Sequence, residues 1–170
     1  GNPSALSYFT RTAKFPSVLD FGLYYAIKDV VADTQGTDRL SWVFNQDDYY
    51  TTAHSNANQL MNFVSNHDVG RIGHFIQNMP NIGEEEALKR AQLAQTLMYL
   101  TRGVPVVYYG DEQGFTGDGG DADAREDMFE SNVVSYNDNN LIGTDQTTAD
   151  DNFNRRHPIY SHLRKLAIIK

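Results

Sequence analysis

The sequence predicts an α/β fold built on a parallel sheet. Three short apolar runs alternate with segments whose apolar residues recur every three or four positions, which indicates strands that alternate with helices. Each apolar run ends in acidic or amide side chains, so the carboxyl edge of the sheet is the predicted chemical edge. This alternation implies parallel strands joined by right-handed crossovers.

The first part of the chain supplies one strand and two helices. A strand is predicted over residues 17–20, entered through Pro16, because proline is tolerated at the first position of a strand. Apolar residues recur at helical spacing over residues 22–32, so a helix follows the strand. A second helix is predicted over residues 39–49, with Asp38 as its N-cap.

The remaining elements repeat the same alternation. Strands are predicted over residues 60–65 and 104–109, with a helix over 84–101 between them. Three glutamates occupy the first turn of that helix, where the macrodipole favours anions. Three leucines are predicted to line one face of the helix, with three alanines and a methionine beside them, namely Leu93, Leu97 and Leu100 with Ala87, Ala91, Ala94 and Met98. Residues 114–126 are rich in glycine and aspartate, which predicts a solvated loop without a core. A last helix is predicted over residues 157–170.

The most informative stretch is the end of the second strand, where an apolar run stops in Asn66, His67 and Asp68. An amide, an imidazole and a carboxylate at a sheet's carboxyl edge can bind a polar ligand and carry chemistry. Arg71 and Asp111 follow the second and third strands closely. Taken alone, a strand-end carboxylate such as Asp68 is more often a loop cap than a catalytic group.

Composition excludes several classes of function. The net charge of −8 disfavours nucleic acid and anionic membranes as partners, because both would repel the chain. No apolar run approaches the roughly 18 residues that cross a bilayer. The absence of cysteine excludes disulfides, thiolate metal sites and a cysteine nucleophile.

A metal site is not predicted. His67 and His74 do not have the i, i+4 spacing of a helical zinc site. Residues 118–127 are rich in aspartate but lack the twelve-residue calcium-loop pattern with its closing glutamate. No cofactor is therefore expected in this chain.

Three motifs together carry a resemblance to a known family. Residues 15–21 read Phe-Pro-Ser-Val-Leu-Asp-Phe, residues 63–68 read Phe-Val-Ser-Asn-His-Asp, and residues 103–112 read Gly-Val-Pro-Val-Val-Tyr-Tyr-Gly-Asp-Glu. In this order, each on its own predicted strand, they resemble the α-amylase family, glycoside hydrolase family 13. The resemblance covers residues 5–170 and implies the last three strands, six to eight, of a partial TIM (β/α)₈ barrel with their helices. A whole barrel takes about 250 residues, so residues 1–170 are expected to be a single fragment of one catalytic domain, with no second domain.

The resemblance also implies roles for the candidate residues. Asp68 matches the family's third catalytic acid, which stabilises the oxocarbenium-like transition state, and His67 would hydrogen-bond the same sugar ring. Asn66, Arg71 and Asp111 are implied to bind the substrate or to orient the groups that do. The family's nucleophilic aspartate and acid/base glutamate lie on the fourth and fifth strands, which would precede this chain.

The predicted function is therefore part of an α-amylase-like glycosidase that acts on α-1,4-glucans with retention, and the fragment alone is expected to be inactive. The alternatives are a non-catalytic glucan-binding or structural relative, or a transglycosylase or isomerase of the same family. A carboxylate pair among the strand-end acids Asp20, Asp68, Asp111 and Glu112 also stays open. Calcium is possible in the parent protein and is not expected in this fragment. A secreted or periplasmic location is favoured for the parent protein.

The partners predicted for the chain are an α-glucan substrate and a second copy of itself. A barrel cut open leaves two sheet edges with unpaired backbone groups, which can pair with another chain. We expect such self-association to bury apolar strand residues, namely Val18, Leu19, Val106 and Val107.

Overall fold

The computed structural model describes residues 1–170. Its helices surround a small parallel sheet. The α-helices are α1 (Pro3–Arg11), α2 (Phe21–Val31), α3 (Asp38–Phe44), α4 (Ile72–Gln77), α5 (Glu84–Leu100) and α6 (Pro158–Ile169). The strands are β1 (Met61–Asn62) and β2 (Val104–Pro105), and short 3₁₀ turns lie in the connections. No helix is long and apolar enough to span a membrane.

The sheet is parallel, as predicted. Met61 of β1 pairs with Val104 of β2, and on the other side of β1 Leu19 forms a parallel bridge with Met61. The ladder is shorter than the predicted strands of four to six residues, because the chain turns into α2 directly after Asp20 and leaves the later residues of β1 without a neighbour on that side. The predicted order of the three segments is confirmed, but their predicted lengths are wrong.

Helix α2 begins where Asp20 caps it. The Asp20 carboxylate accepts a hydrogen bond from the Leu23 backbone N–H at 2.9 Å, which satisfies one of the free donors at the helix start. Leu23, Ile27 and Val31 form a fully buried stripe at helical spacing. The helix predicted over residues 22–32 is confirmed.

Helix α3 is shorter than predicted. It ends at Phe44, and a separate 3₁₀ turn covers Asp47–Tyr50, where Asp47 pairs with Arg102 and holds the chain out of helical register. Asp38 lies inside the first turn and Thr37 occupies the cap position without a side-chain bond, so the predicted cap is wrong.

Helix α5 has its predicted bounds but a different buried face. The buried stripe consists of small side chains and one methionine, namely Ala87, Ala91, Ala94 and Met98. Leu93 and Leu100 are 44% and 48% exposed, because they lie on the opposite side of the helix from this stripe. The predicted leucine face is wrong at Leu93 and Leu100, whereas Leu97 packs against the core and the alanines and Met98 predicted beside the leucines are buried.

Two segments outside the predicted helices and strands contribute to the interior. Helix α4 buries Ile72 and Ile76 after the Asn-His-Asp segment. Within residues 114–126, the side chains of Phe115 and Glu126 are at most 1% exposed. The prediction that this glycine-rich segment lacks core residues is wrong, since ion pairing and aromatic packing hold it in place.

Helices α2, α4, α5 and α6 share one apolar core. Truncating a fully buried leucine costs about 2–5 kcal/mol, because contacts are lost and a cavity is left. We therefore expect Leu23→Ala to lower the free energy of unfolding in urea by that amount. The same substitution at half-exposed Leu93 should cost less than about 1 kcal/mol. Equal losses for the two variants would contradict this assignment of the core.

Candidate functional site

The Asn66–Gly70 segment forms a closed turn at the end of β1. Asn66 and Gly70 exchange backbone hydrogen bonds of 3.2 and 3.1 Å. The Asn66 side-chain oxygen accepts hydrogen bonds from the backbone N–H groups of Asp68 at 2.8 Å and Val69 at 2.9 Å. An asparagine that bonds its own turn in this way stabilises the local backbone conformation. The turn therefore presents His67 and Asp68 in one defined direction.

His67 and Asp68 are the accessible side chains of the turn. Their side chains are 54% and 67% exposed, and His67 Nε2 lies 3.3 Å from Asp68 Oδ1. No lysine or arginine lies within ion-pairing distance of Asp68. An exposed carboxylate beside an imidazole can accept hydrogen bonds from hydroxyl groups and can stabilise a nearby positive charge.

Residues Gly117–Glu126, which we call the glycine loop, pack directly against this turn. A Cβ atom on Gly120 would lie 2.8 Å from the Asp68 carbonyl oxygen, and one on Gly70 would lie 2.6 Å from the Gly119 carbonyl oxygen. Gly70 also has φ +85°, a left-handed conformation that glycine adopts without strain. Backbone therefore meets backbone at this contact, and only glycine fits.

A buried arginine connects the turn to the glycine loop. The Arg71 side chain is 0% exposed, and its Nε donates to Glu126 Oε2 at 2.9 Å. Its Nη1 donates to Asp111 Oδ1 at 3.2 Å and to the Tyr109 carbonyl oxygen at 2.7 Å. Buried charges persist when they are paired and hydrogen-bonded in this way.

Aromatic rings complete the surroundings of Arg71. Its guanidinium carbon lies 4.6, 5.2 and 5.1 Å from the ring centroids of Tyr108, Tyr109 and Phe115. Cations at these distances are attracted to the ring faces. Tyr108 is half-buried, whereas Tyr109 is 42% exposed.

The pKa values of the two partners follow from this burial. Burial raises the pKa of the Asp111 carboxyl to about 6, because desolvation outweighs the attraction of the Arg71 cation. For Arg71, burial alone would lower the pKa, but the Asp111 and Glu126 carboxylates reverse this and the net pKa is raised. Arg71 therefore keeps its charge, and Asp111 changes its charge near pH 6.

The structure assigns the predicted site residues to two groups. His67 and Asp68 face solvent, and Asn66 orients them. Arg71 and Asp111 are buried, with 0% and 4% of each residue exposed. Substrate binding by Arg71 and Asp111 stays a prediction, and the geometry favours an orienting role for both because neither reaches the surface.

The other strand-end acids do not form a catalytic pair with Asp68. Asp20 is 1% exposed, caps α2 and pairs with Arg102. Asp111 is engaged with Arg71, and Glu112 is half-buried in the following 3₁₀ turn. Among Asp20, Asp68 and Asp111, only Asp68 has an exposed carboxylate.

No three metal-ligating side chains lie close enough together to hold an ion. His74 is half-buried, and its Nδ1 lies 3.0 Å from the Gly117 carbonyl oxygen.

Sequence reasoning did not pair Glu126 with Arg71 and did not single out the glycines of the glycine loop. Glu126 lies 55 residues after Arg71, so no local spacing connects them. The available signal was an acidic residue at the end of a glycine-rich segment, together with an arginine near a strand end. A buried arginine requires a carboxylate partner, and that requirement points to such distant acids.

A parallel sheet that carries polar, ligand-accessible side chains at its carboxyl edge is typical of α/β-barrel enzymes. Residues 1–161 match the family model described as "Alpha amylase, catalytic domain". The chain belongs to the α-amylase catalytic-domain family, as the three motifs predicted.

Curated relatives are longer than this chain. It is 41% identical over 168 residues to an α-amylase of Streptomyces lividans, an alignment that covers 98% of this chain and 18% of that protein. It is 30% identical over 171 residues to a β/α-amylase of Paenibacillus polymyxa, covering 100% of this chain and 12% of the relative. It is also 31% identical over 126 residues to a cyclomaltodextrin glucanotransferase of Niallia circulans, covering 71% of this chain and 16% of that protein. The chain thus spans less than a fifth of the length of these relatives.

Solved structures support the same fold. An α-amylase from Malbranchea cinnamomea superposes with a TM-score of 0.69 at 21% identity, covering 99% of this chain and 29% of that one. An Anoxybacillus α-amylase superposes with a TM-score of 0.70 at 20% identity, covering 99% and 30%. These likenesses indicate an α-amylase catalytic-domain fold of the TIM-barrel type.

The raised pKa of Asp111 gives a pH-dependent stability. The folded chain holds this proton more tightly than the unfolded chain, whose pKa is near 3.8. Protonation of Asp111 therefore contributes fully to the free energy of unfolding below pH 3.8, and this contribution is lost as the pH rises through about 6. The free energy of unfolding falls by on the order of 2–3 kcal/mol over this range. We expect the ¹³C carboxyl resonance of Asp111 to titrate near pH 6.

Urea unfolding of the Asp111→Asn variant gives an independent check, because the amide cannot ionise. The unfolding free energy of the unmodified chain relative to this variant should fall between pH 4 and pH 7. Asp151→Asn, at an exposed aspartate, is the matched control and should leave the pH profile unchanged. An Asp111 resonance that titrates near pH 4 would refute the assignment.

Proposed function

We propose that these 170 residues form part of the catalytic barrel of an α-amylase-like glycoside hydrolase that acts on α-1,4-glucans with retention. The observation that carries the proposal is the exposed carboxylate of Asp68, presented beside His67 at the end of a buried apolar strand. Membership of the α-amylase catalytic-domain family gives this carboxylate its chemical setting.

The three parallel segments at Leu19, Met61 and Val104 are proposed to be the last three of the barrel's eight strands. Their order and direction fit consecutive barrel strands, and helix α2 follows the first of them as a barrel requires. Residues 1–170 are then one part of a single catalytic domain. The small share of each relative that the chain covers supports this proposal.

In the proposed mechanism, Asp68 acts on charge that develops during the reaction. Glycoside hydrolysis passes through an oxocarbenium-ion-like transition state, and hydrogen bonds to the sugar hydroxyls strengthen as the ring flattens. The Asp68 carboxylate accepts such hydrogen bonds and stabilises the positive charge. His67 donates to the same ring, and Asn66 holds the backbone of both residues.

The isolated chain is proposed to be inactive. A retaining glycosidase needs a nucleophile and an acid/base whose carboxyl groups lie about 5–5.5 Å apart. Asp20 and Asp111, the strand-end acids nearest in role, are buried and ion-paired. Both missing groups are assigned to strands four and five of the family's barrel.

A transglycosylase of the same family is the second candidate. The match to cyclomaltodextrin glucanotransferases favours it, since 71% of the chain aligns with one of them at 31% identity. Asp68 would serve the same transition state in either enzyme, and the acceptor that releases the intermediate would differ. A non-catalytic glucan-binding relative is the third candidate, and it predicts binding without turnover.

A chimera tests the proposed function. These 170 residues replace the aligned segment of the Streptomyces lividans α-amylase, of which they cover 18%. We expect the chimera to hydrolyse starch and Asp68→Asn to lower kcat/KM at least about 10³-fold, because an amide cannot offset the developing charge. Product analysis by chromatography separates hydrolysis from glucan transfer.

The matched control is Asp151→Asn in the same chimera, at an exposed aspartate distant in sequence from the turn. It should retain the activity of the chimera within a factor of two. An Asp68→Asn chimera with undiminished starch hydrolysis would refute the role of Asp68. The isolated 170-residue chain serves as the negative sample, and turnover by it would refute the proposed inactivity.

The open sheet edges are proposed to mediate self-association. Val104, Val106 and Val107 are 50%, 39% and 37% exposed along the outer edge of the sheet. An exposed apolar edge with free backbone groups pairs readily with a second strand. We expect sedimentation velocity to show dimers or larger species of the isolated chain at micromolar concentration, and Val106→Asp to shift them to monomer.

Val134→Asp is the control for that experiment, because Val134 is 83% exposed in a 3₁₀ turn outside the sheet. It should leave the association unchanged. A chain that sediments as a monomer over the whole concentration range would contradict the proposed association.

A further inference from the structure

The glycine loop contacts the Asn66–Gly70 turn, which we call the catalytic turn, at only a few backbone atoms. The loop meets the turn backbone to backbone, at the Asp68 carbonyl oxygen and at Gly70. No side chain of the loop stands between the two segments there, because Gly119 and Gly120 carry none. The position of the Asp68 backbone is therefore set partly by where the loop lies.

The loop is held by bonds at both of its ends. At its start, the Gly117 carbonyl oxygen lies 3.0 Å from His74 Nδ1, and the Asp118 carboxylate accepts from Asn139 Nδ2 at 2.8 Å. Near its end, the Ala124 carbonyl oxygen accepts from the Tyr108 hydroxyl at 3.1 Å. The charged anchor is Glu126, which accepts from Arg71 Nε at 2.9 Å.

Arg71 connects three separate segments. It directly follows the catalytic turn in the sequence. Its side chain binds the end of the third strand segment through Asp111 and the Tyr109 carbonyl, and it binds the glycine loop through Glu126. The planar guanidinium offers donors in a fixed fork, so these directions are coupled. A lysine has one nitrogen and cannot reach the same acceptors with that geometry.

We propose that Arg71 and Glu126 are positioning residues for Asp68: their buried ion pair holds the glycine loop against the Asp68 backbone and thereby fixes the direction of its carboxylate. The catalytic part of this inference rests on the proposed function. The positioning part concerns the folded chain alone and can be measured without turnover.

The structural part predicts a local loss of order. Glu126→Gln keeps the shape of the side chain but removes the charge that pairs with Arg71. We expect ¹⁵N relaxation of the 170-residue chain to show backbone order parameters of Asp68 and Val69 falling from about 0.85 to below about 0.6. The order parameters of Ala94 and Met98 in α5 should stay unchanged.

Two further variants separate positioning from general stability. Glu86→Gln removes the exposed ion pair between Glu86 and Arg90 on α5 and should leave Asp68 ordered. Gly120→Ala keeps the Arg71 ion pairs but places a methyl group against the Asp68 carbonyl, so it should mobilise Asp68 like Glu126→Gln. An Asp68 that stays ordered in either Glu126→Gln or Gly120→Ala overturns the proposal, as does an equal loss of order in α5.

Kinetics of the chimera provide the catalytic readout. Because a misdirected Asp68 stabilises the transition state less, Glu126→Gln and Arg71→Lys should each lower kcat at least tenfold while KM changes less than threefold. Glu86→Gln should leave both constants unchanged. Unchanged kcat in Glu126→Gln overturns the catalytic part. A chimera without any activity counts against the proposed function instead, and the relaxation experiment still decides the positioning role.

Discussion

The arrangement of the candidate site depends on the burial of one cation. A guanidinium without solvent is tolerated only when carboxylates and carbonyls surround it, and Arg71 obtains these from two segments that are far from it in the sequence, at residues 109–111 and at Glu126. Arg71 lies three residues after Asp68, so the segments that bond its guanidinium are held next to the turn. The interaction that satisfies a buried charge therefore also assembles the surface around the exposed carboxylate.

Glycine makes this assembly possible. The turn and the glycine loop approach so closely that a side chain on Gly70 or Gly120 would meet a backbone oxygen within 3 Å. A rigid contact of this kind leaves His67 and Asp68 as the accessible polar groups of the turn. Rigid support and an accessible carboxylate are the combination that electrostatic catalysis requires, because a preorganised group needs no reorientation during the reaction.

Periodicity in the sequence was sufficient to predict the parallel order of the strands and, to within one residue, the bounds of α5, since these follow from local patterns. It was not sufficient for the whole buried face of α5, because Leu93 and Leu100 are exposed. Periodicity could not predict the pairing of Glu126 with Arg71 either, because Arg71 lies 55 residues earlier and only the fold brings the two side chains together. Local pattern predicts elements, whereas the pairing of buried charges is a property of the tertiary structure.

Asp68 is proposed to stabilise an oxocarbenium-like transition state. Binding of a transition-state analogue by the chimera tests this claim. If the claim is correct, Asp68→Asn weakens the binding of a cationic, flattened-ring inhibitor by a factor close to its loss in kcat/KM, while binding of a maltooligosaccharide changes much less. Equal weakening of both ligands would contradict the claim, because Asp68 would then contribute only to binding of the ground state.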